Sequence, residues 1–85
     1  MPFMNYVYIL KSIKYPKTYV GSTTDIARRT KEHELGKTAF SKKYRPWKLV
    51  YKEEFLNIIE ARKREKYFKS AAGRRFIKKI LNENL

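Results

Sequence analysis

Two tyrosine tripeptides, Tyr6-Val7-Tyr8 and Tyr19-Val20-Gly21, are the residues of this chain that are best suited to chemistry. Tyr8 and Tyr19 are 11 residues apart, and a short polar turn separates the two strand-like apolar runs that contain them. A hairpin built from these runs can bring the two phenols close together. A phenol combines an apolar body with a proton-transfer group, so such a pair serves either core packing or acid–base chemistry.

Polar side chains occupy the inward face of the first predicted helix. Ile26 marks that face, and Arg29 and His33 share it because they follow three and seven positions later. Burying an arginine and a histidine is costly unless they are paired or functional. The competing interpretation is that the Arg29 stem extends to solvent at the rim and that His33 is a structural histidine with satisfied hydrogen bonds.

A carboxylate interrupts the apolar stripe of the second predicted helix. The stripe follows alternating steps of three and four residues, and its missing step holds Glu65 between Ile58, Ala61, Phe68 and Ala72. The competing interpretation is an ion pair with one of the many lysines and arginines. The two phenols, the cation, the imidazole and the single carboxylate are all predicted to point at the same interior or cleft. Together they are the groups needed for metal-assisted phosphodiester hydrolysis.

The elements that must position these groups follow the order β-β-α-β-α-α. Strands are predicted around Tyr6–Leu10, Thr18–Gly21 and Leu49–Phe55. The first helix begins at Thr24 or Asp25 and ends near Leu35, where Gly36 can stop it. The second runs from Asn57 to about Ser70, and Gly73 breaks the pattern before a third helix with the apolar face Phe76, Ile77, Ile80 and Leu81.

This order predicts an α+β fold in which helices flank a small three-stranded, mostly antiparallel sheet. The tight link between the first two strands requires antiparallel pairing. The third strand can lie at either edge or between the other two. The length of 85 residues, without a linker or an internal repeat, predicts one domain spanning residues 1–85.

The charge of the chain indicates its partner. Twenty-one Lys and Arg face 8 Asp and Glu, which gives a net charge of +13. Nucleic acid is the commonest partner of such a field, and an acidic membrane surface is the less common one. No run is long enough to span a membrane, the apolar start lacks the cationic flank of a signal peptide, and the chain has no cysteine. We therefore expect a cytoplasmic protein that does not enter the membrane.

The segment from Lys37 to Lys48 is the predicted nucleic-acid contact, and it is predicted to be a loop. It holds no acid, and its cations are Lys37, Lys42, Lys43, Arg45 and Lys48. Phe40, Tyr44 and Trp47 are interleaved with these cations, so phosphates and unpaired bases could both be bound here. For Trp47 we favour core packing, since it adjoins the third strand.

The ordered set of residues resembles the GIY-YIG nuclease superfamily, most closely its small stand-alone bacterial proteins. It is also similar to the catalytic domain of the excision-repair nuclease. The two tripeptides stand where the family's own tripeptides stand, and the resemblance covers nearly the whole chain. Arg29 falls ten residues after Tyr19, at the family's helix arginine; His33 and Glu65 match a histidine and the metal-binding glutamate.

The resemblance implies a mechanism. Glu65 would hold one divalent ion, Mg²⁺ or Mn²⁺, and Tyr8 or Tyr19 would help to deprotonate the attacking water. Arg29 would stabilise charge on the phosphate, and His33 would orient Tyr8 or relay a proton. The chain departs from the family pattern where Tyr6 replaces glycine, where Val20 replaces isoleucine, and where Ser22 stands at the lysine of a repair-nuclease relative.

These observations favour a metal-dependent endonuclease or nickase that cleaves DNA, selective for DNA structure more than for sequence. No separate recognition domain is visible, so a partner protein could supply further specificity. Kinship alone suggests DNA repair or processing. The alternatives are a basic nucleic-acid-binding module that kept the fold without catalysis, and an accessory protein that docks on a ribosome or an acidic partner.

Overall fold

Seven elements make up the fold in the computed structural model, which describes residues 4–83. The strands are β1 (Asn5–Ser12), β2 (Thr18–Thr23) and β3 (Trp47–Phe55). The helices are α1 (Ile26–Glu34), α2 (Ala39–Lys43), α3 (Ile58–Phe68) and α4 (Ala71–Glu83). This architecture confirms the predicted α+β fold with helices flanking a three-stranded antiparallel sheet. Within the described residues no helix combines the length and apolarity needed to cross a bilayer.

The sheet has the order β2-β1-β3, which settles the position that the sequence left open for the third strand. Tyr8 of β1 pairs with Gly21 of β2 on one side and with Lys52 of β3 on the other. The central place suits β1 because its residues Val7–Leu10 are apolar on both faces, and all four are fully buried. β2 therefore forms one free edge of the sheet.

Each face of the sheet covers its own apolar cluster. Val7 and Ile9 pack with Phe68 of α3 and Ile80 of α4 on one face. Tyr8 and Leu10 point to the opposite face because side chains alternate along a strand, and there they pack with Trp47 and with Tyr19, Ile26, Tyr44 and Leu49. The sheet is thus a middle layer, with α1 and α2 over the Tyr8 face and α3 and α4 over the Val7 face.

Side-chain caps fix where the helices begin. Asp25 is the N-cap of α1 and accepts a hydrogen bond from the backbone N–H of Arg28 at 3.0 Å. Asn57 caps α3 in the same way and accepts from Ile59 at 2.7 Å. Gly36 follows α1 with a φ of 70°, a left-handed conformation that glycine adopts without strain. The predicted starts of the first two long helices are confirmed.

The predicted loop from Lys37 to Lys48 is wrong in two respects. It contains the short helix α2, which Thr38 and Ser41 start with a reciprocal capping box. β3 also begins two residues earlier than predicted, at Trp47, because the indole is buried against the sheet and its Nε1–H donates to the carbonyl oxygen of Ser41. The core role favoured for Trp47 is confirmed.

Two expectations for the last two helices are also wrong. Ile58 is 49% exposed and does not belong to the buried stripe, and Ala72 belongs to α4. Gly73 does not interrupt a helix but lies in the first turn of α4. A Cβ there would overlap the carbonyl oxygen of Tyr67 and would lie 2.7 Å from the carbonyl carbon of Phe68. Glycine is therefore needed where α4 crosses the end of α3.

Replacing Gly73 tests this close approach. Helix propensity alone predicts that Gly73→Ala stabilises the protein by about 0.5–1 kcal/mol. The overlap with backbone atoms outweighs that gain, so we expect a loss of about 1–3 kcal/mol in the free energy of unfolding, measured by urea denaturation. Ala71→Gly, at the exposed start of the same helix, is the control and should cost less than about 1 kcal/mol. A more stable Gly73→Ala protein would contradict the packing.

Candidate active site

Gly21 opens the space in which the two phenols meet. A Cβ on Gly21 would lie 2.5 Å from the Tyr8 hydroxyl oxygen and 2.9 Å from Cε1 of Tyr19. The Tyr8 ring therefore extends from the central strand across β2, where its centroid lies 6.2 Å from that of Tyr19. The glycine of the second tripeptide serves the close approach of these side chains.

His33 closes this cluster from α1. Its ring is 5% exposed, its Nε2 lies 3.2 Å from the Tyr8 hydroxyl oxygen, and its centroid lies 4.3 Å from the Tyr19 ring. Burial lowers the pKa of His33, and the positive charge of Arg29 lowers it further, against weaker opposite effects of Glu32 and Glu34. The imidazole is thus neutral at pH 7, and in the tautomer protonated at Nδ1 its Nε2 accepts the hydrogen bond from the phenol.

Arg29 supplies the cation of the cluster. Its Nη1 donates to Oε2 of Glu32 at 2.8 Å, and its side chain keeps 35% of its surface exposed. Burial raises the pKa of the Tyr8 phenol, and the Arg29 guanidinium beside it offsets only part of that increase. Tyr8 therefore stays protonated at neutral pH, and Arg29 remains accessible to an anion from solvent.

Tyr19 is the phenol of the pair that a substrate can reach. Tyr8 is fully buried, whereas Tyr19 is partly exposed and lines an open cavity of about 250 Å³. Phe40, Lys69 and Arg74 also line this cavity. The structure thus separates the two tyrosines by access, which their spacing in the sequence did not reveal.

Glu65 approaches from the other face of the sheet. Ser22 pairs with Val7 and shares its face, and the Ser22 hydroxyl donates to Oε1 of Glu65 at 2.8 Å. Lys69 donates to Oε2 at 2.9 Å. Burial acts to raise the pKa of Glu65, but the bonds from Lys69 and Ser22 and the charge of Arg62 outweigh it, so the pKa is lowered and the carboxylate is ionised.

The five predicted site residues therefore meet around the free edge of β2 and not on one face. Tyr8, Tyr19, Arg29 and His33 lie on the α1 face, and Glu65 lies on the α3 face. Burial is the main cause of the raised pKa of Tyr8, and the charge of Glu65 is its smallest contribution. Val20 and Ser22 alternate with Tyr19 and Gly21, so a single edge strand connects both sets of groups.

The residues present fit one divalent cation of the oxygen-preferring kind. Within residues 4–83 no three His, Cys, Asp or Glu side chains come together as a metal site. Glu65 is a single ionised carboxylate whose side chain is 21% exposed, and one of its partners is the flexible Lys69. Mg²⁺ is bound through one or two carboxylates while it keeps several waters, and such a site suits Glu65.

The predicted nucleic-acid contacts are all exposed but do not form one strip. Lys37, Lys42, Lys43 and Arg45 lie on or beside α2, while Lys48 lies on β3 at the other edge of the sheet. Phe40 of α2 is 41% exposed, and its ring centroid lies 6.4 Å from that of Tyr19.

The sequence did not mark any cation of the last two helices as a site residue, because lysines and arginines on a helix face ordinarily contact only solvent. Lys69 and Arg74 line the cavity at Tyr19, and a shallower depression of about 460 Å³ continues past Thr18 with Lys17 and Lys78 on its walls. One signal was available for Lys69, since a glutamate followed four residues later by a lysine forms an ion pair on a helix.

Comparison with known proteins identifies a matching family and several relatives. The model of the GIY-YIG catalytic domain matches residues 4–79. A UPF0213 protein of Clostridium perfringens is 39% identical over 83 residues, covering 96% of this chain and 88% of its own length. One of Staphylococcus haemolyticus is 39% identical over 77 residues, covering 89% and 93%. The UPF0213 protein YazA of Bacillus subtilis is 36% identical over 66 residues, covering 76% and 67%.

These matches identify the class of protein. The chain belongs to the GIY-YIG nuclease family and, within it, to the small bacterial UPF0213 proteins. No solved structure matches it.

The contact between Gly21 and the phenols can be measured by a double-mutant cycle. Gly21→Ala should cost about 1–3 kcal/mol in the free energy of unfolding, because the new methyl group displaces the Tyr8 ring. In a Tyr8→Phe background the cost should be smaller, since the nearest atom is the removed hydroxyl oxygen. Tyr6→Phe serves as the control background. If the costs of Gly21→Ala and Tyr8→Phe sum to that of the double variant within about 0.5 kcal/mol, the contact is contradicted.

His33 is the only histidine, so NMR titration can follow its pKa directly. We expect a pKa below the ordinary value of 6.5, and an increase in Arg29→Gln, which removes a positive neighbour. Lys31→Gln, an exposed change on the same helix, should leave it unaltered. Because the unfolded chain binds this proton more tightly than the folded protein, stability should fall as the pH drops below about 6.5. A pKa at or above 6.5 would contradict the buried, neutral ring.

Proposed function

We propose that this chain is a divalent-metal-dependent endonuclease or nickase that hydrolyses phosphodiester bonds in DNA, with selectivity for DNA structure more than for sequence. The observation that carries the proposal is the meeting of two chemical sets at the edge of β2. The Tyr8, Tyr19, Arg29 and His33 cluster lies on one face, and on the other face the ionised Glu65 accepts a hydrogen bond from Ser22 of β2.

The exposure and charge of each residue indicate its role in the proposed reaction. Tyr19 is accessible, so we assign to it the contact with the attacking water and the acceptance of its proton. Positive charge close to a phenol favours the form of the group that accepts a proton from water. Arg29 is within electrostatic range of both phenols and supplies that charge.

Arg29 and Glu65 serve the phosphate. The exposed guanidinium of Arg29 is placed to bind a phosphoryl oxygen as charge develops on it in the transition state. Glu65 would hold Mg²⁺ or Mn²⁺, which when bound neutralises phosphate charge and acidifies a coordinated water. The Tyr8–His33 pair stays neutral and buried, and it fixes the floor of the site against which Tyr19 packs.

The charge distribution supports DNA as the substrate. The chain carries +13, and the exposed cations Lys69 and Arg74 line the Tyr19 cavity. Phosphate contacts of this kind give strong, salt-dependent binding without sequence readout, which agrees with selectivity for DNA structure. A role in DNA repair or processing, in the cytoplasm, is the context we infer from kinship with the family.

Cleavage assays on supercoiled, branched and single-stranded DNA with Mg²⁺ or Mn²⁺ test this proposal. Glu65→Gln and Tyr19→Phe should each lower the rate by about 100-fold or more, because each removes a group that acts on the reacting atoms. Glu60→Gln and Tyr67→Phe are matched controls on α3 and should cleave at the wild-type rate. Cleavage that survives Glu65→Gln unchanged would show a contaminating nuclease and remove the assignment.

A non-catalytic nucleic-acid-binding module is the second candidate. One observation favours it: both carboxylate oxygens of Glu65 already have partners, Ser22 and Lys69. This candidate predicts salt-sensitive DNA binding without cleavage of any substrate with either metal ion. It also predicts that Glu65→Gln and wild type bind DNA with the same metal dependence.

A further inference from the structure

Lys69 forms an ion pair with Glu65, the carboxylate that the proposed reaction requires. Its ammonium lies 2.9 Å from Oε2 of Glu65, four residues earlier on α3, and 57% of its side chain is exposed. An exposed ion pair of this kind contributes at most about 1 kcal/mol, so it exchanges readily with other partners. Another charged partner can therefore displace Lys69 from Glu65.

Lys69 also lines the 250 Å³ cavity of the accessible phenol. One side chain therefore contacts the carboxylate of Glu65 and shares a cavity with Tyr19. Ser22, the other partner of Glu65, carries no charge. Lys69 is thus the cation that contacts Glu65 on the α3 side of the sheet, whereas Arg29 lies on the opposite face.

We propose that Lys69 is a phosphate-binding catalytic residue that exchanges partners during the reaction. In the free protein its ammonium neutralises Glu65. Glu65 would hold the divalent ion in place of this contact, and the ammonium of Lys69 would then be available to donate to a non-bridging oxygen of the scissile phosphate. A flexible four-carbon stem with a compact charge suits such a shift, and the exchange leaves no charge unpaired. This inference rests on the proposed nuclease function.

Cleavage kinetics test the phosphate contact. Lys69→Ala should lower kcat by about 100-fold, the usual effect of losing one transition-state charge donor. Lys63→Ala removes the same charge from the exposed side of α3 and should leave kcat unchanged. Lys69→Arg should keep more activity than Lys69→Ala. Adding Ser22→Lys to Lys69→Ala should recover activity, because position 22 contacts the same carboxylate and can return an ammonium to it.

Two binding measurements separate this role from a structural one. By isothermal titration calorimetry, Lys69→Ala should bind Mn²⁺ about two- to fivefold more tightly than wild type, because the competing ion pair is gone. Binding of uncleaved DNA in Ca²⁺ should change no more in Lys69→Ala than in Lys63→Ala. Unchanged Mn²⁺ affinity would overturn the exchange of partners.

The outcomes distinguish this inference from the function on which it rests. Wild-type cleavage rates in Lys69→Ala, while Glu65→Gln is inactive, would overturn the role of Lys69 and leave the nuclease intact. A wild-type protein that cleaves no DNA would overturn both proposals. Loss of activity in Lys69→Ala without recovery in either Lys69→Arg or the Ser22→Lys variant would also count against the phosphate contact.

Discussion

The close approach of the Tyr8 phenol to the backbone of β2 at Gly21 is the contact on which the site depends. Tyr8 sits on the central strand and is fully buried, so its position is fixed by strands on both sides. Only a residue without a Cβ allows its hydroxyl to extend over the edge strand. There it meets His33 and lies beside Arg29, and it forms the surface against which the accessible Tyr19 packs.

The free edge of β2 explains how one small domain combines buried neutral groups with partly exposed charged groups. Alternation along the strand directs Tyr19 and Gly21 to the α1 face and Ser22 to the α3 face, where Glu65 lies. Burial favours the neutral forms of the Tyr8 phenol and the His33 imidazole, and hydrogen bonds favour the ionised form of Glu65. Neutral groups thus form the packed floor, while the charged groups Arg29, Glu65 and Lys69 stay partly exposed.

The surrounding surface matches this arrangement. Exposed Phe40 stands beside Tyr19 on one wall of the cavity, and Arg74 stands on the other. These residues belong to α2 and α4, and the β1–β2 hairpin by itself does not determine where those helices lie. In a chain of 85 residues with a charge of +13, the cations Lys69 and Arg74 thus share a cavity with the accessible Tyr19, and such a positive field attracts polyanions.

The sequence by itself determined what depends on near neighbours along the chain. The caps at Asp25 and Asn57, the hairpin, and the shared helix face of Arg29 and His33 follow from local hydrogen bonds and from the helical period. The tertiary structure alone decided that β3 pairs with β1, that Gly73 lets α4 cross α3, and that Glu65 approaches from the opposite face through Ser22 and Lys69. These features depend on which distant surfaces bury each other, and that information is spread over the whole chain and not contained in any local pattern.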